Sequence, residues 1–422
     1  NVSVNGEAPL SLTLDGKDHQ SCQFLSKRAP DESHEFTWKE VTTTRGGELA
    51  EILGDQLRSV DSLVVKGNVN DKDFHAMWDA SLYGYLSVIN LKNAVLENNA
   101  VPDTAFFHEN EQYEGSSHEI FYYIGLRKII LPEGLEKIGE GAFYQASALR
   151  QVNFPSTLRY IGDFAFNATK LEMNQLVIPE GVEEINQYAF AFCRKLKAQV
   201  TLPSTIKKIG EWAFYGCPIT SINLPEELES LGSLAFWDCD LREVSIPSSC
   251  HEFNEGWQFG FNRNLEKMHL PEGMTEIPDH FAVDCFRLRE VNFPHTLKHI
   301  GEKAFSLCIS LKNVDLPLGM QSLGEEAFSE LEALEQIVFP ASMKSLGKNS
   351  CSYWKNIKRI YCAAMEPPVC DPTDGGVFSG FDFPDGLNTP VVYVPKGSIN
   401  KYKDPSRNCM GWEKFWNYVE ID

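Results

Sequence analysis

The sequence predicts an α/β solenoid, in which successive coils place a parallel sheet on the concave face and short helical turns on the convex face. Three features predict this fold: a proline that returns every 22 to 24 residues, an apolar alternation before it, and an Ala-Phe pair after it. A repeat of this length forms one coil that can bury its apolar side only against neighbouring coils. The period is set by Pro132, Pro155, Pro179, Pro203, Pro225, Pro247, Pro271, Pro294, Pro317 and Pro340.

The strand of each repeat comes directly before the proline. The residues one and three positions before each of these prolines are all apolar, as Phe154 and Val152 show. The positions between and beside them are mostly polar, as with Gln151 and Asn153. Such alternation indicates a short strand with one buried side. Proline has no N–H to donate, so we expect it at the end of the strand.

The segment after each proline predicts two further features. Ile-Gly pairs such as Ile161-Gly162 mark a corner, where the lack of a side chain permits a turn. An Ala-Phe pair then predicts a short helical turn whose ring fills the coil interior and buries roughly 150–250 Å². The stacked rings are Phe143, Phe166, Phe190, Phe214, Phe236, Phe305 and Phe328.

The amino-acid composition restricts the classes of binding partner that we expect for this protein. The 422 residues include 38 basic and 59 acidic side chains, for a formal net charge of -21. This polyanionic surface argues against nucleic acid or an anionic membrane as partner. No run of 18 apolar residues occurs, so we expect no membrane span. Because the chain opens at Asn1 without Met or a signal peptide, we expect that processing or a choice of boundaries trimmed its start.

Eleven cysteines leave at least one thiol unpaired. Those that follow a repeat Phe predict a ladder of buried free thiols, because free Cys packs as a small apolar side chain. The ladder comprises Cys193, Cys217, Cys239 and Cys308, with Cys285 nearby. Zinc binding is disfavoured because no paired C-x-x-C spacing occurs. A local disulfide between Cys362 and Cys370 remains an alternative.

The repeat L-x-x-[IV]-x-[LF]-P-x-x-[LVM]-x-x-I-G-x-x-A-F resembles the BspA-type leucine-rich repeats of bacterial surface proteins. The ending from Tyr393 to Tyr402 and Trp412 is similar to the terminal segment of such proteins from Bacteroides-like bacteria. The stretch from Gly47 to Asp73 resembles their leading unit. The resemblance implies a right-handed leucine-rich-repeat coil. It also implies export to the cell surface, often as a lipoprotein, and adhesion to other proteins or cells, but it assigns no binding residue.

Four segments are predicted along the chain. The repeats include two irregular units, at 248–265 and 272–288, and a helix is predicted after Asn70. The segments are an N-terminal leader (1–45), divergent capping repeats (46–120), the BspA-type repeats (121–357) and a C-terminal capping unit (358–422).

No catalytic, cofactor or metal site is predicted. Gly139-Glu-Gly141 lacks the rest of a phosphate-binding loop, and His295 and His299 lie in a turn without the Glu of a zinc-protease motif. The acidic groups of the glycine turn at Asp371–Gly376 could hold Ca²⁺ weakly, but the turn lacks the third oxygen ligand and the distal Glu of an EF-hand, which favours a plain loop.

The concave face is the leading candidate for partner binding. Coil stacking places its polar side chains in two columns, and a rigid array binds without a large ordering cost. The candidates are Gln151, Asn153, Gln175, Gln199, Thr201, Ser221, Asn223, Glu243, Ser245, Lys267, His269, Glu290 and Asn292. A purely solvated face is the alternative. Tyr144, Tyr215 and Trp237, each directly after a repeat Phe, form a rival site unless they pack between convex turns.

The sequence therefore predicts a non-enzymatic surface protein that presents a rigid acidic coil to a protein partner. This partner is a host extracellular protein or an envelope protein, and a lipid anchor would sit on the removed N-terminus. The first alternative is a structural scaffold within a bacterial envelope assembly. The second is an enzyme with a site in one of the terminal segments. The oligomeric state is left open.

Overall fold

A computed structural model describes residues 13–14, 17–18, 34–107, 124–370, 376–380, 389–404, 406 and 411–422. The chain winds into coils whose strands pair in parallel with the strands of the coils before and after them. The predicted coiled solenoid is thereby confirmed. The only antiparallel pair in the described residues joins Thr13–Leu14 to Lys17–Asp18.

The strands predicted before the prolines form a first ladder, in four sheets of five, three, three and four strands. It begins at Trp38–Thr43, inside the segment assigned to the leader. At 313–315 the predicted strand is absent. The bounds are Trp38–Thr43, Ser62–Val69, Val88–Leu96, Lys128–Ile130, Gln151–Val152, Gln175–Val177, Gln199–Thr201, Ser221–Asn223, Glu243–Ser245, Lys267–His269, Glu290–Asn292, Gln336–Phe339, Arg359–Cys362, Val391–Pro395 and Asn417–Ile421.

A second ladder runs along the Ile-Gly corners, where the sequence predicted only a turn. Its strands are two residues long and form two sheets of seven and five strands. The bounds are Ala100–Val101, Lys137–Ile138, Tyr160–Ile161, Glu184–Ile185, Lys208–Ile209, Ser230–Leu231, Glu252–Phe253, Glu276–Ile277, His299–Ile300, Ser322–Leu323, Ser345–Leu346 and Val369–Cys370. The corner glycines permit close stacking: a Cβ on Gly210 would lie 2.7 Å from the backbone nitrogen of Gln187.

The third side of each coil carries the Ala-Phe pair, and here the expected helical turns are wrong. Backbone N–H groups donate alternately within the coil and to the next coil. Asn167 donates to the carbonyl of Phe164 at 3.0 Å, whereas Phe166 donates to the carbonyl of Ala189 at 2.8 Å. Phe164 has a left-handed φ of 55°. This alternation breaks the i to i−4 pattern of a helix and makes a third ladder of turns.

The Phe side chains stack inside the coils as predicted. Adjacent rings from Phe106 to Phe259 lie 5.2–5.6 Å apart and within 3–11° of parallel. The pair Ala105-Phe106 adds a coil that the proline count missed, because a polar insertion at 108–120, which the sequence predicts to be a loop, separates it from the regular repeats. The residues of that insertion lie outside the described part of the chain.

Both ends carry units that differ from the repeats. The predicted helix after Asn70 is confirmed as Asp71–Tyr83, with Asn70 as its N-cap, and a shorter helix spans Leu49–Leu53. At the other end the helix Ile399–Tyr402 and the buried ring of Trp412 close the last coil. Short 3₁₀ segments lie at Gly54–Ser59, Glu97–Asn99 and Trp412–Lys414.

The nine described cysteines are all buried free thiols, as the ladder prediction requires. Cys362 and Cys370 are among them, so the alternative of a disulfide between them is wrong. The Cys217 thiol donates to the carbonyl of Phe190 at 2.9 Å, and Cys239 repeats this contact with Phe214 at 3.3 Å. Burial raises the pKa of the Cys250 thiol to about 12 and that of Cys217 well above its ordinary value. These thiols are therefore held protonated and unreactive.

Candidate binding face

The outward side chains of the first ladder form what we call the first face. Parallel pairing aligns its predicted polar columns, with Gln175, Gln199 and Ser221 in one register and Glu243, Lys267 and Glu290 in another. Two sheet boundaries, after Val152 and after Asn223, divide the columns into three groups. Of the thirteen predicted residues, twelve are exposed and His269 is half-buried.

Three asparagines on this face have their amides engaged by the backbone. Asn153 accepts from the N–H of Leu131 at 2.7 Å and donates to the carbonyl of the same residue at 3.0 Å. Asn223 and Asn292 make the same pair of bonds to Leu202 and Leu270. Each amide completes the ladder at the proline end of a strand, so these side chains have a structural role beside any contact with a partner.

The charged members of the columns pair with each other. Lys267 lies 3.3 Å from the carboxylate of Glu290, and His269 lies 3.2 Å from that of Glu243. Exposed pairs of this kind contribute about 0–1 kcal/mol. The polar columns therefore form a solvated surface whose charged side chains partly pair with each other.

An apolar column continues the first face toward the C-terminus. It consists of Val338, Tyr361, Tyr393 and Val419, which the parallel register aligns. The two valines are 47% and 42% exposed. The two tyrosine rings stack with centroids 4.4 Å apart and an interplanar angle of 12°. The sequence analysis missed this column, although an apolar residue in the usually polar position before Pro340 was a visible signal.

Tyr215 and Trp237, which the sequence offers as a rival binding site, pack between the turns, as the alternative interpretation predicts. Tyr215 is half-buried against Trp212, with ring centroids 4.3 Å apart, and burial raises its pKa. Trp237 lies against Trp257 and covers Gly260, where a Cβ would come within 2.1 Å of the indole. Because their faces are largely covered by neighbouring rings, these residues offer mainly edges to a partner.

The remaining sequence motifs do not form sites in the described part of the structure. His295 lies 3.0 Å from Glu272, whereas His299 Nδ1 lies 2.7 Å from Ser322 Oγ, so the two histidines do not share a site. Gly139 packs against Asp103 in the second ladder. Residues 371–375 of the acidic turn lie outside the described residues. In the described ranges, no three His, Cys, Asp or Glu side chains converge on a metal-sized site. No helix there is long and apolar enough to cross a membrane.

Parallel ladders around a stack of Phe rings define a leucine-rich-repeat solenoid. The family model "BspA type Leucine rich repeat region" matches six copies, over residues 116–199, 197–306 and 280–365. These ranges cover more than half of the chain, and the chain belongs to this family.

The chain is similar to several solved structures, one of which has a TM-score above 0.5 and the same fold. A leucine-rich repeat protein from Bacteroides ovatus is 21% identical, with coverage of 79% of this chain and 92% of that one and a TM-score of 0.53. A leucine-rich cell surface protein from Faecalibacterium prausnitzii is 18% identical, with coverage of 85% and 96% and a TM-score of 0.37. The pneumococcal vaccine antigen PcpA is 16% identical, with coverage of 93% and 91% and a TM-score of 0.40. No curated protein sequence matches the chain.

Proposed function

We propose that this chain is an exported surface protein that binds a protein partner through its first face, with the apolar column as the centre of contact. The observation that carries the proposal is the aligned set of two exposed valines, Val338 and Val419, and two half-buried tyrosines, Tyr361 and Tyr393, on a hydrogen-bonded sheet. Aromatic and apolar anchors surrounded by polar residues are the usual composition of a protein interface.

The rigid ladder favours binding at low entropic cost. Tyr361 and Tyr393 lie on strands that are paired on both sides, whereas Gln336–Phe339 and Asn417–Ile421 are the two edge strands of this sheet. The tyrosine rings are already stacked in the free protein. Little conformational freedom is therefore lost on association. The predicted polar residues, from Gln151 to Asn292, would then form the solvated rim of the same interface.

The overall charge favours a basic partner. With a net charge of -21, long-range attraction would speed the approach of a cationic surface and repel an anionic one. Salt should therefore slow association more than it speeds dissociation. The surface location, an N-terminal lipid anchor and an adhesive role stay parts of this proposal, supported by membership of the BspA-type family.

The test measures binding of the whole chain to a panel of purified extracellular-matrix proteins and to envelope proteins of the producing cell. The double variant Tyr361→Ser/Tyr393→Ser should weaken binding at least about 10-fold, because truncating aromatic anchors typically costs more than 1 kcal/mol. The matched control Gln175→Ser/Gln199→Ser alters exposed residues of the same face and should change affinity less than about 3-fold.

Two results would count against the proposal. If the glutamine variant lost binding and the tyrosine variant did not, the polar columns would be the centre of contact. If no extracellular protein bound and the chain formed a stable complex with its own envelope proteins, the scaffold alternative would replace the adhesive role.

A further inference from the structure

A groove of about 470 Å³ lies on the second ladder, on a different side of the coil from the proposed binding face. Several outward residues of this ladder are long and exposed, as with Tyr160 and Lys208, whereas Ala100 and Ser230 are short. In the later coils two short residues, Ser322 and Ser345, are neighbours on adjacent strands. Their two hydroxymethyl groups leave space that long side chains fill in several other coils.

Four outward residues of the groove form one row across adjacent coils. Glu276, His299, Ser322 and Ser345 are spaced by 23 residues, and each is paired in register with the next. The His299 Nδ1 atom lies 2.7 Å from Ser322 Oγ, and both side chains are half-buried. Strand spacing of about 4.8 Å places a carboxylate, an imidazole and two hydroxyls in sequence along the coil axis.

We propose that Ser322 is a nucleophile activated by His299, and that the groove accepts a carboxylic ester. This activity is independent of partner binding by the first face. Serine hydroxyls are weak nucleophiles until a base within hydrogen-bond reach takes the proton, and the 2.7 Å contact meets that condition.

The proposed reaction needs only the ester and water. Ser322 Oγ bonds to the carbonyl carbon while its proton moves to His299 Nδ1. The intermediate then breaks its bond to the alcohol oxygen, which leaves with the proton from the imidazolium. Water attacks the acyl-serine, gives one proton to His299 and releases the carboxylic acid, and that proton returns to Ser322 Oγ. The products are an alcohol and an acid, and no redox partner is required.

The Ser345 hydroxyl lies opposite Ser322 on the next strand and lines the same groove. It is a donor that suits the negative charge developing on the carbonyl oxygen, because a hydrogen-bond donor at that place stabilises an oxyanion.

Glu276 is assigned a positioning role only. It is exposed and pairs in register with His299 on the opposite side from Ser322. No hydrogen bond between the two side chains occurs in the described structure. Its carboxylate would stabilise the imidazolium through Coulomb attraction over a neighbouring-strand distance.

The test treats the full chain with a fluorophosphonate probe, maps the modified residue by mass spectrometry, and measures hydrolysis of p-nitrophenyl butyrate. Ser322 should be labelled in preference to Ser345 in the unaltered protein. Ser322→Ala should abolish the label at this position and reduce hydrolysis to background. His299→Gln should slow both reactions about 100-fold or more, because general bases contribute at least that factor.

His295→Gln is the matched control, since His295 is exposed and bonds to Glu272 rather than to a hydroxyl. It should leave labelling and hydrolysis unchanged. Absence of a label at Ser322 in the unaltered protein would overturn the proposal, and this measurement does not depend on whether any variant folds. Labelling that persists unchanged in a folded His299→Gln protein would also overturn it, because Ser322 would then be an ordinary hydroxyl.

Discussion

The coils at 142–236 and those at 248–288 both fill the coil interior with phenylalanine rings, but they arrange the rings differently. In the first region the rings of Phe143 to Phe236 are nearly parallel. In the second region the order of the pair is reversed to Phe281-Ala282, and the ring of Phe281 meets that of Phe259 at 76°. The second ladder also breaks here, between Glu252–Phe253 and Glu276–Ile277.

The third ladder, which the turns form, nevertheless keeps its hydrogen-bond register through the irregular coils. Phe259 donates to the carbonyl of Phe281 at 2.9 Å, and Ala282 donates to that of Ala304 at 2.7 Å. Phe281 therefore occupies the position that Ala has in other coils, and Ala282 the position of Phe. The backbone bonds fix the alignment of the coils, and the side chains adapt to it, because an unpaired buried N–H costs more than a rotated ring.

The largest expected effect comes from deleting a ring of the stack. Phe214→Ala should destabilise the protein by about 3–5 kcal/mol, because Phe214 is fully buried between two rings. Phe281→Ala should cost the same within about 1.5 kcal/mol, because parallel and edge-to-face geometries add only about 0.5–1.5 kcal/mol to burial. Urea denaturation of both variants measures the two costs, and a Phe281 cost below about 1 kcal/mol would show that the irregular coils are loosely packed.

Much of the repeat could be predicted from the sequence, because its signals are local and recur ten times. The strands before the prolines, the Phe stack and the free thiols all follow from the period. The turn ladder could not be predicted, because the direction in which Phe166 donates depends on the next coil rather than on its own neighbours. The early strand Trp38–Thr43 was missed since no proline marks it.

Less of the candidate sites than of the fold could be predicted from the sequence. The outward exposure of the polar columns could be predicted from the strand alternation, but the structural bonds of Asn153 become visible only when the preceding coil is present. The row of His299 and Ser322 carries no sequence motif, because its members are 23 residues apart. It emerges only when the same position is compared in consecutive repeats.

A smaller effect is expected at the corner glycines of the regular coils. Gly210→Ala should destabilise by about 1–3 kcal/mol, because its Cβ would lie 2.7 Å from a backbone nitrogen of the preceding coil. The control Gly319→Ala should be nearly neutral, since the nearest atom to its Cβ is 3.9 Å away. The irregular coils carry Asn254 and Pro278 instead of glycine at the corner position. Equal thermal stability of the two alanine variants would contradict this explanation.

The smallest differences are expected along the thiol ladder, where Asn262 takes the place of Cys in one of the two irregular coils. Asn262 donates to the carbonyl of Phe236 at 2.7 Å and accepts from the N–H of Leu241 at 3.3 Å, so Asn262→Ala should cost about 1–3 kcal/mol. Cys239→Ala should cost about 1 kcal/mol or less, because a thiol is a weak donor. The variant Asn262→Cys tests whether this position needs only a hydrogen-bond donor or both a donor and an acceptor. It restores a donor to Phe236 but leaves Leu241 without an acceptor, so its stability should fall between that of the unaltered protein and that of Asn262→Ala. Full stability of Asn262→Cys would show that the position needs only a donor to the preceding coil.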